Sequence, residues 1–193
     1  MGSSYHARLR CAMEKTYMNN LANHQSAGLF SMAGFIDIFR AARDTAGLVY
    51  FIGNGGSAGI AMHMTADFLK NGKMRTVSMY NPATLTCLGN DFGIEYIFSK
   101  QLELLVRPGD LLVAISSSGN SPNILRGIEA AKDNGAQVIT LTGFCEDNKA
   151  RQMGDFNIYV PSMEYGIVES VHNIILQQAV DMLMRENEEE ENA

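Results

Sequence analysis

The chain has 193 residues, of which 46% are hydrophobic and 19% charged, and this composition predicts one globular domain with a full apolar core. No apolar run approaches the roughly 20 residues of a membrane span, so we expect no membrane binding. The formal net charge is −6 and lysine and arginine form no basic stripe, so we expect no nucleic-acid binding. Three scattered cysteines, Cys11, Cys87 and Cys145, form no CxxC pair and favour a reduced, cytoplasmic setting.

The first 46 residues lack strand signals and are predicted to form two helices, over residues 4–24 and 26–46. The second helix has apolar residues on more than one face between Leu29 and Phe39. A helix with so wide an apolar surface is expected to pack both on its own domain and on another copy of the chain. We therefore predict an N-terminal helical hairpin over residues 1–46 that builds an oligomer interface.

Short apolar strands and helices alternate from residue 48 onward. Strands are predicted near 48–52, 75–79, 111–115, 137–141 and 156–160. Helices are predicted near 56–70, 83–89, 94–106, 122–134 and 166–186. Strict alternation of this kind predicts an α/β fold, a flavodoxin-like three-layer αβα sandwich with a five-stranded parallel sheet. This domain is expected over residues 47–185, with residues 186–193 as a disordered acidic tail.

Two loops rich in glycine and serine follow predicted strands and open predicted helices. Their sequences are GNGGS at residues 53–57 and SSSGNS at residues 116–121. A strand that leads into a helix in this way presents free backbone N–H groups and the positive end of the helix dipole, which together bind anions. Hydroxyl groups without a lysine suit a small phosphate ester better than a nucleoside triphosphate. We therefore expect a phosphorylated metabolite to bind between the loops, at the carboxyl ends of the strands.

Two other interpretations of these loops are open. Residues 53–58 fit the dinucleotide-binding pattern G-x-G-x-x-A, but Tyr80 and Asn81 follow the next predicted strand in place of the confirming carboxylate. The P-loop pattern is absent, and we expect no nucleotide cofactor. Alternatively, the second loop is an ordinary turn in which Ser121 caps a helix and Pro122 takes its first position, although one cap does not require four serines in six residues.

The chain resembles sugar isomerase (SIS) domains, motif by motif, from about residue 48 to residue 180. The motifs are GNGGS at 53–57, GNDFG at 89–93, GD at 109–110 followed by LLVAI and the SSSGNS loop, and VITLTG at 138–143. Within that family the chain is most similar to phosphoheptose isomerases. The resemblance implies a homotetramer whose N-terminal helices build the subunit contacts and whose active sites lie between subunits.

The resemblance also implies which residues hold a sugar phosphate. Serines of both loops would contact the phosphate group: Ser57, Ser116, Ser118 and Ser121. The other residues expected at the substrate site are Asn54, Gly55, Gly56, Asn90, Asp91, Ser117 and Asn120.

Polar residues at helical spacing suggest a catalytic cluster. His63 and Asp67 are four residues apart on the helix after the first loop, and Glu169, His172 and Gln177 share the last helix. Each set, taken alone, is equally typical of the polar, solvent-exposed face of a helix. The placement of His63 and Asp67 after the first phosphate loop favours a catalytic role over a solvent-exposed helix face. Aldose–ketose isomerisation needs a base, a proton donor and often an electrophile.

In phosphoheptose isomerases, by the same resemblance, a divalent metal such as zinc is held by a His-x3-Glu pair on the first of these helices and a Gln-x7-His pair on the last. The corresponding residues here are His63, Asp67, Glu169 and Gln177, so only His63 is retained. We expect Asp67 to serve as base and metal ligand, and Glu169 to be a better hard ligand than glutamine for zinc or another divalent metal. Gln177 cannot carry a proton at neutral pH, so Glu169, His172 or a metal-bound water would replace the missing acid.

Two functions remain open. The first is a phosphosugar isomerase that converts sedoheptulose 7-phosphate, or a close ketose phosphate, into a D-glycero-D-manno-heptose 7-phosphate through an enediol. The second is a non-catalytic sugar-phosphate-binding protein with a regulatory or adaptor role, as in SIS proteins that keep the phosphate loops and lose the proton-transfer residues. The polar groups of His63, Asp67 and Glu169 favour the enzyme, and Gln177 favours the binding protein.

Overall fold

The computed structural model describes residues 4–20 and 32–191, and within them the chain forms eight α-helices and six β-strands. The helices are α1 (Tyr5–Glu14), α2 (Met32–Asp44), α3 (Gly56–Lys70), α4 (Pro82–Asp91), α5 (Ser99–Leu105), α6 (Pro122–Asp133), α7 (Lys149–Met153) and α8 (Tyr165–Glu191), with a 3₁₀ turn at Ile94–Tyr96. The strands are β1 (Tyr17–Asn20), β2 (Leu48–Gly53), β3 (Arg75–Ser78), β4 (Leu111–Ser116), β5 (Gln137–Thr142) and β6 (Phe156–Tyr159).

The six strands form one sheet in the order β1-β6-β5-β4-β2-β3. Strands β2 to β6 run parallel, and β1 pairs antiparallel with β6, with Tyr17 opposite Tyr159. Strand β4 lies between β2 and β5, and all of its residues are buried. Burial on both faces explains why its sequence is a continuous apolar run and not an alternating pattern.

Helices cover both faces of the sheet. Helices α2, α3 and α8 pack on one face, through buried residues such as Phe39, Phe68 and Leu176. Helices α5, α6 and α7 pack on the other, through residues such as Leu102 and Ile128. This arrangement confirms the predicted three-layer αβα sandwich and places α3 and α8 side by side. No helix in the described part of the chain is both long and apolar enough to cross a lipid bilayer.

The N-terminal segment differs from the predicted hairpin. Residues 17–20, predicted to be helical, form β1, so the sheet has a sixth strand beyond the five that were predicted. The helix predicted over 4–24 ends at Glu14, and the described part of the second begins at Met32, while residues 21–31 lie outside the described residues. Strand pairing prevails at 17–20 because the edge of β6 supplies partners for the backbone N–H and C=O groups.

Three later elements also differ from the prediction. The helix expected at 94–106 divides into a 3₁₀ turn and α5, and α7 was not predicted. Helix α8 continues to Glu191, through most of the segment predicted to be a disordered tail. Contacts with α2 explain the continuation: Arg40 pairs with Glu186, and Arg43 Nη1 donates to Asn187 Oδ1 at 3.0 Å. The division of the chain at residue 46 stays a prediction.

Candidate active site

The loops after β2 and β4 meet at the carboxyl edge of the sheet. The two strands are adjacent and parallel, with Gly53 opposite Ile115, so the loops that follow them lie side by side. Together with the start of α8 they enclose a cavity of about 360 Å³, here called the serine cavity. Its wall consists of Asn54, Gly55, Gly56, Ser57, Ser116, Ser117, Ser118, Ser121, Tyr165 and Glu169. The structure thus brings together eight of the residues predicted to hold the sugar phosphate.

The two helices that begin at the serine cavity, α3 and α6, lack side-chain caps at their N-termini. Gly55 precedes α3 with a φ of +56° and no capping bond, a left-handed conformation that glycine adopts without steric cost. Ser121 precedes α6, yet its side chain makes no capping hydrogen bond. The interpretation of Ser121 as a mere helix cap therefore fails, and the positive ends of two helix dipoles meet at this cavity.

The serine hydroxyl groups differ in their hydrogen-bond partners. Ser116 Oγ accepts a bond from the Gly119 amide at 3.1 Å, and Ser118 Oγ accepts a longer one from the Asn120 amide at 3.4 Å. Ser117 Oγ is buried and has no partner among the described residues. A buried hydroxyl that lacks a partner costs free energy, so Ser117 is the group that gains most from a bond to a ligand.

Two residues of the site, Asn123 and Tyr165, are not indicated by the sequence. The side-chain amides of Asn54 and Asn123 form reciprocal hydrogen bonds of 2.9 and 2.8 Å, which tie the two loops together. Tyr165, the first residue of α8, lies on the cavity wall and packs edge-on against Phe144, with ring centroids 4.7 Å apart. No local pattern marks Asn123 or Tyr165, because their positions depend on how α6 and α8 pack on the sheet.

Three residues predicted at the substrate site lie away from the wall of the serine cavity. Asn90 and Asp91 are exposed at the end of α4, where the Asn90 amide donates to Asp91 Oδ1 at 2.8 Å. Asn120 accepts a bond of 3.2 Å from the backbone amide of Lys149 and so holds the start of α7. Within one chain these residues hold surface turns, and their role in substrate binding stays a prediction.

Glu169 places a carboxylate on the wall of the serine cavity. Its side chain lies against the first residue of α3, so closely that a Cβ atom added to Gly56 would be 2.3 Å from Oε2. Burial raises the pKa of Glu169 above its ordinary value, because a carboxylate that loses contact with water is less stable in its charged form. Glu169 also lines a neighbouring hollow of about 390 Å³ together with His63. The carboxylate therefore lies between the serines and the histidine.

His63, Asp67 and Gln177 form one cluster between α3 and α8. The Gln177 side-chain amide donates to Asp67 Oδ2 at 2.7 Å, and His63 Nε2 lies 3.1 Å from the same oxygen. His63 and Asp67 meet because they are one helical turn apart, and Gln177 reaches them because α3 and α8 pack on the same face of the sheet. The side chain of His63 is 57% exposed and that of Asp67 21%, so the histidine is the member of the cluster that faces solvent.

The structure brings together three of the four residues predicted to bind a metal ion and leaves Glu169 outside their cluster. Glu169 precedes Gln177 by about two helical turns, or roughly 12 Å along α8, and lies against Gly56. Within the described residues, no three histidine, cysteine, aspartate or glutamate side chains are close enough together to hold a metal. The cluster therefore lacks the three or four ligands that a protein supplies to zinc.

His172 is a core residue. Its side chain is fully buried, and Nε2 lies 3.1 Å from the carbonyl oxygen of Thr142 at the end of β5. Burial lowers the pKa of His172 to about 4, because the charged imidazole would lose its contact with water. Helical spacing groups His172 with Glu169 and Gln177, but its side of α8 packs on the sheet. A histidine shielded in this way cannot exchange a proton with a substrate, which corrects its predicted role as the replacement acid.

Comparison with known proteins agrees with this arrangement. The family model of the SIS domain matches residues 15–143. This chain belongs to the SIS domain family. A phosphoheptose isomerase from Rhodospirillum rubrum is 44% identical over 135 residues, which are 65% of this chain and 70% of that protein. A phosphoheptose isomerase from Edwardsiella ictaluri is 34% identical over 180 residues, which are 89% of this chain and 91% of that protein.

Solved structures of phosphoheptose isomerases share the fold of this SIS-domain chain. The structure from Neisseria gonorrhoeae has a TM-score of 0.78 at 28% identity, covering 92% of this chain and 91% of that chain. The structure from Francisella tularensis has a TM-score of 0.78 at 26% identity, covering 93% and 92%. The resemblance inferred from the motifs is confirmed, and the chain is a member of the phosphoheptose isomerase branch of the family.

Proposed function

We propose that this SIS-domain protein is a phosphosugar isomerase, which converts sedoheptulose 7-phosphate into a D-glycero-D-manno-heptose 7-phosphate through an enediol. The observation that carries the proposal is the Glu169 carboxylate on the wall of the serine cavity. Such a site offers an anion-binding surface and an acid–base group to the same small molecule. Similarity to a phosphoheptose isomerase over 89% of the chain supports the same reaction.

The serine cavity binds the phosphate group of the sugar. Among the described residues on its wall there is no lysine or arginine, so neutral donors and helix dipoles stabilise the phosphate charge. The Ser117 hydroxyl, which is buried and has no partner within the described part of the chain, donates to a phosphate oxygen. The reciprocal amide bonds of Asn54 and Asn123 hold the two loops at a fixed separation around it.

Glu169 moves the proton between the reacting carbons. The carbonyl end of a ketose 7-phosphate is remote from its phosphate, so the sugar extends from the serine cavity past Glu169 into the hollow that His63 also lines. A base removes a proton from C1, which gives an enediolate with its negative charge on the former carbonyl oxygen. A proton then passes from the C1 hydroxyl to that oxygen, and the protonated base returns its proton to C2. A raised pKa suits both steps, because an acid–base catalyst works best when its pKa is near the working pH, and burial raises the pKa of Glu169.

His63 and Asp67 act at the carbonyl end. The exposed side chain of His63 faces the hollow. Its Nε2 lies against Asp67, so the group that stabilises the negative charge on the carbonyl oxygen is Nδ1–H of the imidazolium form, which carries hydrogen on both nitrogens. Asp67, the base expected from the sequence, lies behind His63 and orients its ring through the 3.1 Å contact with Nε2. We therefore assign transfer at carbon to Glu169 and a positioning role to Asp67.

The reaction proposed here has no step on a metal ion. For the zinc ion that the family resemblance implied, the cluster offers two ligand side chains, His63 and Asp67. Gln177 directs an amide N–H toward Asp67. A hydrogen-bond donor cannot also coordinate a cation with that nitrogen. The donor set does not fit the ion.

The experiment that tests the function is an NMR time course with sedoheptulose 7-phosphate in D₂O, with and without added zinc. The appearance of an aldoheptose phosphate, with deuterium entering at the carbon next to the carbonyl, supports enediol isomerisation. A protein that neither forms the product nor exchanges deuterium under either condition is not an isomerase of this sugar.

A non-catalytic sugar-phosphate-binding protein is the second candidate function. Its supporting observation is Gln177, an amide at the position where the resemblance places a proton-transferring histidine. Under this alternative the same NMR experiment gives broadening of the phosphate resonance without turnover or exchange. The carboxylate of Glu169 on the cavity wall favours the isomerase.

We further propose that the protein is a cytoplasmic homotetramer with active sites between subunits, as the resemblance implies. Exposed apolar side chains support an interface, among them Ile94 and Leu104, which are 67% and 74% exposed. Tyr165, on the wall of the serine cavity, is 61% exposed and is available for contact with a neighbouring subunit. Light scattering after gel filtration is expected to give about four times the chain mass of 21.2 kDa. A monomer would contradict the proposal.

A further inference from the structure

One hydrogen bond and one close N···O contact meet at a single carboxylate oxygen of the cluster. Asp67 Oδ2 accepts from the Gln177 amide at 2.7 Å and lies 3.1 Å from His63 Nε2. Asp67 is four-fifths shielded from solvent, and a shielded carboxylate is stable only when donors or cations surround it. The Gln177 amide and the His63 ring supply that stabilisation from within the chain.

The orientation of the Gln177 amide determines what else the cluster can bind. Its nitrogen faces Asp67, so a hydrogen atom lies where a metal-binding arrangement requires a lone pair. With the amide turned over, two oxygens would face each other at hydrogen-bond distance without a hydrogen between them. The hydrogen-bond network therefore selects the donor orientation, and that orientation leaves His63 and Asp67 as the two ligand side chains in the cluster.

No other histidine, cysteine, aspartate or glutamate in the described residues completes the set. Glu169 lies against Gly56, about two helical turns from Gln177 along α8. No group of three histidine, cysteine, aspartate or glutamate residues in this part of the chain can hold a metal. Catalytic zinc sites use three protein ligands and structural sites four, and two are too few.

We propose that the Gln177 carboxamide takes the place of a metal ion in this site, so that the native protein retains no zinc at the His63–Asp67 cluster. The amide holds the Asp67 carboxylate, and Asp67 in turn holds the His63 ring. This inference rests on the proposed function for what the cluster does in turnover, whereas the prediction about metal binding does not.

The test is a gain-of-binding substitution with a matched control. Gln177→His gives the cluster a third ligand in place of the amide donor. Gln178→His adds the same side chain one position further along α8, at an exposed residue that lines a different groove, beside Met13 and Ile174. Untagged native protein and both variants are incubated with equimolar zinc, separated from free metal by gel filtration, and analysed for zinc content by mass spectrometry.

We expect the native protein and Gln178→His to retain less than about a tenth of a zinc ion per chain, and Gln177→His to retain about one, because three ligands complete a zinc site. Gln177→Glu, which also supplies a third ligand, serves in place of Gln177→His should the latter not fold. Retention of about one zinc by the native protein, lost in Asp67→Asn, would overturn the inference. Failure of both folded position-177 variants to retain zinc would also overturn it.

Zinc retention and turnover separate this inference from the proposed function. If the native protein retains no zinc and does not isomerise the sugar, the proposed function fails and the inference about the metal stands. If the native protein retains zinc and isomerises the sugar only in its presence, the inference fails and the isomerase function stands.

Discussion

The carboxylate of Glu169 occupies the space that a side chain at Gly56 would fill. A Cβ atom at position 56 would lie 2.3 Å from Glu169 Oε2 and 2.6 Å from its Cδ, far inside van der Waals contact. The absence of a side chain at the start of α3 is therefore what lets the Glu169 carboxylate approach the loop after β2.

Gly56→Ala is expected to displace the Glu169 carboxylate and leave the fold intact, because the atoms in the way are the far end of a flexible side chain. A displacement of about 1 Å typically lowers kcat by about 100-fold. The matched control for stability is Gly59→Ala in the same helix, where an added Cβ meets no atom of the described residues within 4 Å. That control should raise the free energy of unfolding by about 0.5–1 kcal/mol. Native kcat in Gly56→Ala would exclude Glu169 from the reaction.

Ser117→Ala and Ser116→Ala are expected to affect stability in different ways. Ser117 Oγ has no partner among the described residues, so its removal should leave the free energy of unfolding unchanged or slightly higher, while affinity for a sugar phosphate falls about tenfold or more. Ser116 Oγ accepts from the Gly119 amide, and its removal should lower the free energy of unfolding by about 1 kcal/mol. Calorimetric titration and urea unfolding measure both effects. Native affinity in Ser117→Ala would mean that this hydroxyl does not touch the phosphate.

Asp67→Asn should lower turnover by about 100-fold or more, because the His63 ring loses the charge that orients it. Asp67 is not on the wall of the serine cavity, so the dissociation constant of the sugar phosphate should not change. Steady-state kinetics and calorimetric titration give the two values. Asp181→Asn, at an exposed position of α8, is the control that should behave as the native protein. An Asp67→Asn variant with native turnover would remove this residue from the mechanism.

His172 should make the stability of the protein depend on pH. Its pKa is lowered from 6.5 to about 4 in the folded state, so between these values the unfolded chain binds more protons, and stability falls as the pH falls. The loss attributable to His172 should be about 2 kcal/mol at pH 5 and approach about 3 kcal/mol below pH 4. Urea unfolding of native protein and of His172→Gln, which cannot titrate, isolates this contribution from that of the carboxylates. Parallel pH profiles would show that the histidine is not shielded.

The parts of the fold that depend on local pattern could be predicted from the sequence. Strands β2 and β4 are continuous apolar runs that end in glycine and serine, and such runs identify central parallel strands. Strand β1, by contrast, is the four-residue segment YMNN, which has neither a run nor an alternation. It is a strand because β6 offers it an edge, and that partner lies about 140 residues later in the chain.

The candidate site likewise contains residues that a local sequence pattern identifies and residues whose position depends on the assembled fold. Ser117 directly follows β4, and Ser57 is at the start of α3, four residues after β2 ends, so the strand positions place both at the cavity. His172 has the helical spacing of a site residue, but spacing does not reveal which side of a helix meets the sheet, and here that side carries the histidine to the Thr142 carbonyl. Tyr165 reaches the cavity because α8 begins there, a property of the assembled fold and not of any nearby pattern.

The pairing of β1 with β6 constrains the order in which the molecule can be completed. A chain leaves the ribosome N-terminus first, so residues 17–20 emerge about 140 residues before 156–159, their partners in the sheet. Strands β2, β4 and β5 can associate before β6 has been synthesised, whereas β1 must wait until the last strand is in place. Contacts so distant in sequence slow folding. Until β1 docks, the outer edge of β6 is open to pairing with another chain. The docking of β1 is therefore the last step in forming the sheet, and a chain in which β1 does not dock is expected to aggregate through β6.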